Sequence, residues 1–161
     1  MTVLVPMQAQ AYAAFFEEAV SGYAADNVAS GRWLEHEAVQ LARAETERLL
    51  PQGVATPEHH LYEIKVDPLG ETVGCLWFGA LARGSKRVAF VYQLMVYPRF
   101  RRRGHALAAL AALEPLAIGL GLSGIALNVF GSNREAQSLY RAAGFDVTSI
   151  GMHRNLALNG T

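Results

Sequence analysis

A predicted strand that runs through a basic turn into an apolar helix constrains this chain more than any other feature. Residues 88–96 form a β-type run, and Pro98, which cannot donate to a sheet ladder, marks its end. Gly104 then precedes a stretch rich in Ala and Leu, which predicts a helix to about Leu120. The first N–H groups of such a helix lack intrahelical partners, and the helix dipole favours an anion beside them. The sequence therefore predicts an anion-binding turn.

The turn also concentrates positive charge. Four of the five positions from 99 to 103 are arginine: Arg99, Arg101, Arg102 and Arg103. A guanidinium group is a forked donor that suits phosphate, and a glycine lets a ligand approach the backbone closely. We interpret the turn as a cradle for a diphosphate. A basic surface loop at the start of a helix is the alternative interpretation of these residues taken alone.

The order Arg101-x-x-Gly104-x-Ala106 resembles the acetyl-CoA-binding motif of the GCN5-related N-acetyltransferases, Gln/Arg-x-x-Gly-x-Gly/Ala. The nucleoside-triphosphate loop is different, because it requires Gly-x-x-x-x-Gly-Lys-Ser/Thr. The resemblance implies that acetyl-CoA is the co-substrate, with its pantetheine arm along the backbone of the preceding strand. The residues implied to bind it here are Met95, Val96, Arg101, Arg102, Arg103, Gly104, His105 and Ala106.

A second stretch, residues 128–145, resembles the part of the same family that carries Asn-x-x-Ala at a helix start, then Tyr, then Gly-Phe. Asn133 is a favourable N-cap, and Ala136 and Tyr140 are four residues apart and share a helix face. The resemblance implies that Asn128, Asn133 and Ala136 contact acetyl-CoA. It also implies that Tyr140 is the general acid that protonates the departing thiolate. Helix capping for Asn133 and core packing for Tyr140 are the structural alternatives.

Hydrophobic periodicity along the chain predicts the element order β-α-α-β-β-β-α-β-α-β. Strands are predicted at 2–5, 60–66, 72–81, 88–96 and 125–130, with a final extended region at 145–156, and helices at 7–29, 33–50, 104–120 and 133–144. We expect an α/β fold with a mixed, partly antiparallel central sheet flanked by helices. This is the acyl-CoA N-acyltransferase-like fold that the resemblance implies.

The length of 161 residues predicts a single N-acetyltransferase domain over 1–161. Within it we expect residues 1–60 to form the acceptor side. The acetyl-CoA-binding core is expected at 88–145.

Charge is divided unevenly along a chain whose net charge is zero. Residues 1–80 contain eleven Asp or Glu and four Lys or Arg, a balance of −7, and residues 81–161 contain three and ten, a balance of +7. A basic half suits an anionic cofactor and an acidic half a cationic substrate, although chance segregation of charged elements gives the same split. Four clustered arginines without an overall positive charge argue against a nucleic-acid partner.

Cysteine content and hydropathy further restrict the class of protein to which this chain can belong. The single cysteine, Cys75, lies in an apolar run, where we expect a buried and inert thiol. No disulfide framework or thiolate metal site is present, so we expect no metal and a reducing cytoplasm. No basic residue precedes the first apolar stretch, so no secretory signal is expected. The longest apolar tract, 106–130, is broken by Glu114-Pro115 and glycines, so no membrane span is expected.

The residue that removes a proton from the acceptor is not identified. An alkyl amine has a pKa of about 10.4, so a base must collect its proton near pH 7. Many members of the resembled family carry a carboxylate where this chain has Tyr92 and Gln93. Glu63 and the neighbouring His59 and His60 are candidates, although residues of these types are more often solvated surface groups.

The two N-terminal helices are expected on the acceptor side. Asp26, Glu35 and Glu37 could supply negative charge there, and Tyr23 and Trp33 could offer aromatic faces to a cation. Helix capping and core packing are the alternatives for these residues.

These expectations describe an acetyl-CoA-dependent N-acetyltransferase that acts on a primary amine of a small molecule or peptide by direct transfer in a ternary complex. We expect the amine to be cationic and expect no nucleic-acid or membrane partner. A homodimer is among the oligomeric states left open. The alternative is a non-catalytic acyl-CoA-binding module, which the missing carboxylate at 92 and 93 favours and Tyr140 opposes.

Overall fold

The computed structural model describes residues 1–158. Its strands are β1 (Val3–Pro6), β2 (His59–Lys65), β3 (Thr72–Arg83), β4 (Lys86–Val96) and β5 (Ile125–Leu127). Its α-helices are α1 (Tyr12–Ala29), α2 (Glu35–Leu49), α3 (His105–Gly119) and α4 (Arg134–Ala142). Short 3₁₀ turns precede α1, β2 and α3. No helix within this part of the chain has both the length and the apolar character needed to cross a membrane.

The five strands form one sheet in the order β1-β2-β3-β4-β5. The first four are antiparallel to their neighbours, and β5 is parallel to β4. A parallel pair requires a crossover connection, which α3 supplies here. The predicted α/β fold with a mixed, partly antiparallel sheet flanked by helices is confirmed.

Helices cover both faces of the sheet because successive side chains of a strand point in opposite directions. Leu76 and Phe78 of β3 face α3 and pack in one cluster with Leu113, all three fully buried. Trp77, between them, faces α1 and packs with Phe15. Each fully buried apolar side chain of this size contributes about 1.5–3 kcal/mol to stability. These two cores hold α1 and α3 on opposite sides of β4.

A β-bulge in β4 and an early end of β5 open the sheet. Trp77 lies opposite Gln93, whereas the next residue, Phe78, lies opposite Val91, so Tyr92 is the extra residue of the bulge. β5 pairs only with the part of β4 that precedes this bulge. Beyond that point the two strands separate, which leaves the second half of β4 without a strand neighbour on that side.

The fifth strand is shorter than predicted. The expected strand over 125–130 ends at Leu127. The side-chain amide of Gln137 donates to the carbonyl oxygens of Phe130 and Gly131, at 3.0 Å each. These bonds hold that segment in the loop before α4, so it cannot continue along β4.

The prediction of a final extended region as one or two strands is wrong. Residues 145–158 contain no helix or strand, and every side chain from 146 to 158 is exposed. A strand completes its backbone hydrogen bonds with a neighbouring strand. This segment lies beside none within the described chain.

Candidate active site

A cleft of about 1280 Å³ opens where β4 and β5 separate. The second half of β4 forms one wall, and the end of β5 with α4 forms the other. The turn before α3 closes one end, and α1 and α2 reach the other. Pockets for a single small molecule usually measure about 300–1000 Å³. The cleft therefore has room for two reactants at once.

The turn into α3 has the geometry that the sequence predicts. Arg102 and Gly104 both adopt left-handed backbone, with φ of 64° and 83°, and Gly104 is the N-cap of α3. A Cβ at Gly104 would meet no atom within 4 Å, so the space beside this backbone is open. The N–H groups of His105 and Ala106 lie in the first helical turn, where the dipole favours an anion. The turn fits a phosphate group.

Side chains around the turn fix its position. The Nδ1 atom of His105 lies 3.0 Å from the hydroxyl oxygen of Thr2, so the ring is held by the N-terminal segment. Arg101 donates from Nε to the carbonyl oxygen of Val96 at 2.9 Å, which ties the turn to the end of β4. Arg102 lies 3.7 Å from Glu135 at the start of α4. Exposed pairs of this kind contribute at most about 1 kcal/mol, so an anionic ligand can replace Glu135 as the partner.

Both ends of α4 are fixed by local hydrogen bonds. The Asn133 side chain accepts a bond of 3.1 Å from the N–H of Ala136, so its predicted capping role is confirmed. Gly144 has φ of 91°, and the N–H of Phe145 donates to the carbonyl oxygen of Tyr140 at 3.0 Å. The rings of Tyr140 and Phe145 also pack edge to face, with centroids 5.7 Å apart. These contacts hold the phenol on the cleft wall.

Tyr140 and Asp26 reach the cleft from different helices and interact electrostatically. Burial raises the pKa of Tyr140, and the negative charge of Asp26 raises it further. The phenol therefore keeps its proton near neutral pH and is available as a donor. The pKa of the Asp26 carboxyl is also raised, because surrounding protein atoms exclude part of its water. A protonated phenol and a carboxylate thus face the same cavity.

Asp26 differs from the other two carboxylates of the cleft, Glu45 and Glu135. Glu45 accepts bonds of 3.0 and 2.7 Å from Arg48, and Glu135 has Arg102 at 3.7 Å. Within residues 1–158, no Lys or Arg forms an ion pair with Asp26. Its negative charge is therefore available to a cation that enters the cleft.

A second cavity, of about 340 Å³, adjoins the cleft beside α1 and α2. Tyr23 and Arg32 line both cavities. The rings of Trp33 and Tyr23 pack edge to face, with centroids 5.2 Å apart. The guanidinium of Arg32 lies 5.4 Å from the centroid of the Trp33 ring. Trp33 therefore offers its ring to Arg32 rather than to a substrate. Tyr23 stands at the junction of the two cavities.

The three residues of β2 that the sequence offers as general bases do not line the cleft. His59, His60 and Glu63 are absent from the residues of the described chain that line the cleft. The Nε1 atom of Trp77 donates to Nδ1 of His59 at 2.9 Å, and burial lowers the pKa of this histidine. Thr72 donates to Glu63 at 3.3 Å. These groups serve the packing and hydrogen bonding of the sheet.

The thiol of Cys75 is buried, as predicted. Burial raises its pKa to about 12, so almost no nucleophilic thiolate forms near neutral pH. Across residues 1–158, no three His, Cys, Asp or Glu side chains are grouped so that they could hold a metal ion.

The fold brings together the residues predicted to bind acetyl-CoA or to act as the general acid, apart from Arg103, which does not line the cleft. The acceptor-side candidates Glu35 and Glu37 do not line it either. The predicted residues that do line it are Met95, Val96, Arg101, Arg102, Gly104, His105, Ala106, Asn128, Asn133, Ala136 and Tyr140. What each contributes to binding or catalysis stays a prediction.

Sequence reasoning missed Trp77, Glu45 and Arg48 as cleft residues. Trp77 lies in an apolar run that resembles core. Glu45 and Arg48 lie among the polar residues of α2, which the sequence favours as solvent-facing. No local pattern separates a helix face that meets a cleft from one that meets solvent.

The sequence profile of the acetyltransferase (GNAT) family matches residues 14–145. The Bacillus subtilis (strain 168) protein YycN, named an uncharacterized N-acetyltransferase, is 35% identical over 157 residues, which cover 97% of this chain and 100% of YycN. YdgE of the same organism, also named an uncharacterized N-acetyltransferase, is 34% identical over 153 residues, which cover 95% of this chain and 97% of YdgE.

Solved structures share the fold. The crystal structure of YycN matches with a TM-score of 0.91 at 34% identity, covering 98% of this chain and 100% of that one. AAC(6')-Iy, solved with the bisubstrate analogue CoA-S-monomethyl-acetylneamine, matches with a TM-score of 0.65 at 18% identity over 98% of this chain and 99% of that one, a likeness of fold alone. The profile match and the two relatives above 30% identity show that this chain belongs to the acetyltransferase (GNAT) family.

Proposed function

We propose that the protein is a cytoplasmic acetyl-CoA-dependent N-acetyltransferase that transfers the acetyl group directly to a primary amine within a ternary complex. One observation carries the proposal: the anion-binding turn before α3, Tyr140 and Asp26 all line a single cleft. Its volume of about 1280 Å³ accommodates donor and acceptor together. Family membership supports acetyl-CoA as the donor.

The donor end suits a diphosphate joined to a long flexible arm. The N–H groups of His105 and Ala106 would hold the diphosphate, and Arg101 and Arg102 add positive charge beside them. The unpaired edge of β4 at Met95 gives the pantetheine amides a backbone to bond. Across the cleft, the small side chain of Ala136 leaves room for the arm, flanked by Asn128 and Asn133. When bound, acetyl-CoA supplies the acetyl group as a thioester.

Tyr140 is the residue we assign as general acid. Its raised pKa keeps the phenol protonated near neutral pH. The phenol would give its proton to the sulfur as the carbon–sulfur bond breaks. It would then recover a proton from the nitrogen that has just become an amide. This exchange leaves Tyr140 unchanged after each turnover.

Asp26 is the residue we assign as the proton acceptor for the incoming amine. An ammonium group attracted to this carboxylate would transfer one proton to it and become a nucleophile. Asp26 would then release this proton to solvent. It is the one proton that the overall conversion of an ammonium ion and a thioester into an amide and a thiol releases. The carboxylate thereby fills the role left open by Tyr92 and Gln93.

The acceptor we propose is a cationic primary amine on a small molecule or a peptide. Two arginines that line the cleft bond within the protein: Arg48 donates to Glu45, and Arg32 donates to the side-chain oxygen of Asn27 at 3.1 Å. Asp26 forms no ion pair within residues 1–158, so its carboxylate would attract a positive acceptor.

Binding of the donor can be tested with Gly104→Val. Acetyl-CoA should raise the melting temperature of the wild type as its concentration passes Kd. In Gly104→Val that rise should disappear, because the side chain fills the open space beside the first N–H groups of α3. Differential scanning fluorimetry over a range of acetyl-CoA concentrations measures the melting temperatures of the wild type and of Gly104→Val.

Gly84→Val is the matched control. Gly84, in the β3–β4 turn, also has a left-handed backbone, with φ of 61°, and open space around it, but it does not line the cleft. The Gly84→Val variant should lose stability as Gly104→Val does, but its melting temperature should still rise with acetyl-CoA as that of the wild type does. A Gly104→Val protein that responds like wild type would show that the diphosphate binds elsewhere.

The second candidate function is a non-catalytic acyl-CoA-binding module, and the absence of a carboxylate at positions 92 and 93 favours it. It predicts the same response to acetyl-CoA but no release of CoA with any amine. Asp26 and Tyr140 at one end of the cleft support the enzyme instead.

A further inference from the structure

The turn between α1 and α2 holds one arginine in place through a buried side chain. Asn27, near the end of α1, is fully buried, and its amide nitrogen donates to the carbonyl oxygen of Tyr23 at 2.8 Å. The side-chain oxygen of Asn27 accepts a bond of 3.1 Å from Nη1 of Arg32. The backbone carbonyl oxygen of Asn27 accepts from the N–H groups of Arg32 and Trp33, at 2.9 and 3.2 Å. Asn27 therefore fixes both the backbone and the guanidinium of Arg32.

The guanidinium of Arg32 keeps most of its binding capacity. It lies beside the Trp33 ring, and its Nη1 atom lies 3.5 Å from the hydroxyl oxygen of Tyr23. Its N–H groups at Nε and Nη2 make no hydrogen bond within residues 1–158, and no carboxylate in that range forms an ion pair with it. A guanidinium held in one place, with two of its nitrogens still able to donate, suits the flat fork of a carboxylate.

The second cavity, which Arg32 lines, carries one positive charge in excess. Its charged residues are Arg32, Arg48 and Glu45. Glu45 accepts its two bonds from Arg48, so these two charges offset each other. A carboxylate carries a single negative charge and matches the charge that is left, whereas a phosphate monoester carries about −1.5 to −2 near pH 7. The cavity therefore fits a carboxylate better than a phosphate.

Tyr23 connects this guanidinium to the part of the cleft that contains Asp26. Tyr23 and Asp26 are three residues apart on α1 and are neighbours on one face of that helix. Both line the cleft, and Tyr23 and Arg32 line both cavities. Burial raises the pKa of Asp26, and Arg32 does not lower it, so the two charges do not neutralise each other. An ammonium group at Asp26 and a carboxylate at Arg32 can therefore belong to one small molecule.

We propose that the acceptor is an aminocarboxylate, a small molecule with a primary amine at one end and a carboxylate at the other, and that Arg32 binds the carboxylate. The inference rests on the proposed function, because it specifies the acceptor of that reaction. Arg32 would determine specificity without touching the reacting atoms. Binding at such a distance stabilises the bound substrate and the transition state alike, so it lowers KM and leaves kcat nearly constant.

Amines of equal length that differ only at the far end test the proposal. One set is 6-aminohexanoate, its amide 6-aminohexanamide, and hexylamine. Matching sets built on 4-aminobutanoate and 8-aminooctanoate vary the distance between the two ends. At the length that fits best, the KM of the acid should be about 10–100-fold below that of its amide, the usual range for hydrogen bonds to a charged group. CoA release in the presence of saturating acetyl-CoA measures KM and kcat.

Arg32→Met removes the charge and keeps a long side chain beside Trp33. The preference for the acid over its amide should disappear in this variant. Arg43→Met is the matched control, because the guanidinium of Arg43 also lies beside an aromatic ring, 5.5 Å from the centroid of Phe16, but lines neither cavity. Arg43→Met should keep the preference. Circular dichroism melts verify that both variants are folded.

Calorimetric titration of the best acid into the CoA-bound enzyme measures binding without turnover. The wild type should bind the acid at least about tenfold more tightly than Arg32→Met does. Equal KM values for acid and amide at all three lengths would overturn the inference, as would a preference that survives in Arg32→Met. In both cases the proposed function would stand, because the amines would still be acetylated. If no amine released CoA, the proposed function would fail, and acid that still bound through Arg32 would be a ligand and not an acceptor.

Discussion

Replacing Tyr140 with Phe should lower kcat by about 10²–10⁴-fold, the usual contribution of one general acid–base group. The change removes only the hydroxyl, so the edge-to-face contact with Phe145 and the position of α4 should survive. Acetyl-CoA affinity should stay nearly constant for the same reason. A thiolate can leave even without a proton, so the lower end of this range is expected. The measurement is kcat beside Kd for acetyl-CoA and the melting temperature, with one amine throughout.

Tyr62→Phe is the control for this variant. Tyr62 is half-buried on β2, stacks on Phe78, and does not line the cleft. It should keep the wild-type kcat. If Tyr140→Phe lost stability while turnover per folded molecule stayed constant, the hydroxyl would be structural and Tyr140 would leave the mechanism.

Replacing Asp26 with Asn should lower kcat/KM for an amine by about 10²–10⁴-fold, because both the attraction of the cation and the proton acceptor are lost. The folded protein should not be less stable at pH 7. The pKa of Asp26 is raised in the folded state, so its charge opposes folding above the unfolded pKa of about 3.9. This destabilisation decreases as the pH falls through the pKa of Asp26 in the folded state. The Asp26→Asn substitution removes it at every pH, because asparagine carries no charge.

The pH dependence separates a base from a structural carboxylate. The wild type should lose kcat/KM below the raised pKa of Asp26, and Asp26→Asn should lose that acidic limb. Outside the turn before α3 and the start of α4, the other charged or titratable groups that line the cleft are Tyr23, Arg32, Glu45, Arg48, Arg83, Tyr92 and Tyr140. Asp67→Asn, at an exposed turn away from the cleft, should behave like wild type. An Asp26→Asn enzyme with wild-type kcat/KM would leave the proton acceptor unassigned again.

Most of the donor end could be predicted from the sequence because its determinants are local. Pro98 ends a strand, Gly104 takes a left-handed backbone and Asn133 caps a helix, and each depends on residues within a few positions. The spacing of Ala136 and Tyr140 on one helix face is likewise local. These features place the predicted residues on one cleft once β4 and β5 separate.

The acceptor end could not be predicted because it depends on contacts between distant segments. Asp26 on α1 meets Tyr140 on α4 only after the sheet has formed. Glu45 and Arg48 are three residues apart on α2 and can pair locally, but the sequence does not show that this part of α2 lines the cleft. The sequence predicts an extended region at 145–156, but such a region becomes a strand only where the fold places a partner strand beside it, and residues 145–158 contain no strand.

Release of CoA with a panel of amines tests the central claim most directly. The assay follows the free thiol with a chromogenic disulfide, for wild type and Tyr140→Phe. The panel is butylamine, 1,4-diaminobutane, tyramine and glycinamide, with an amine-free control and with acetyl products verified by mass spectrometry. We predict amine-dependent CoA release that matches the amount of acetylated amine formed and that is strongly reduced in Tyr140→Phe. Acetyl-CoA that raises the melting temperature without CoA release for any amine would contradict catalysis and favour a binding module.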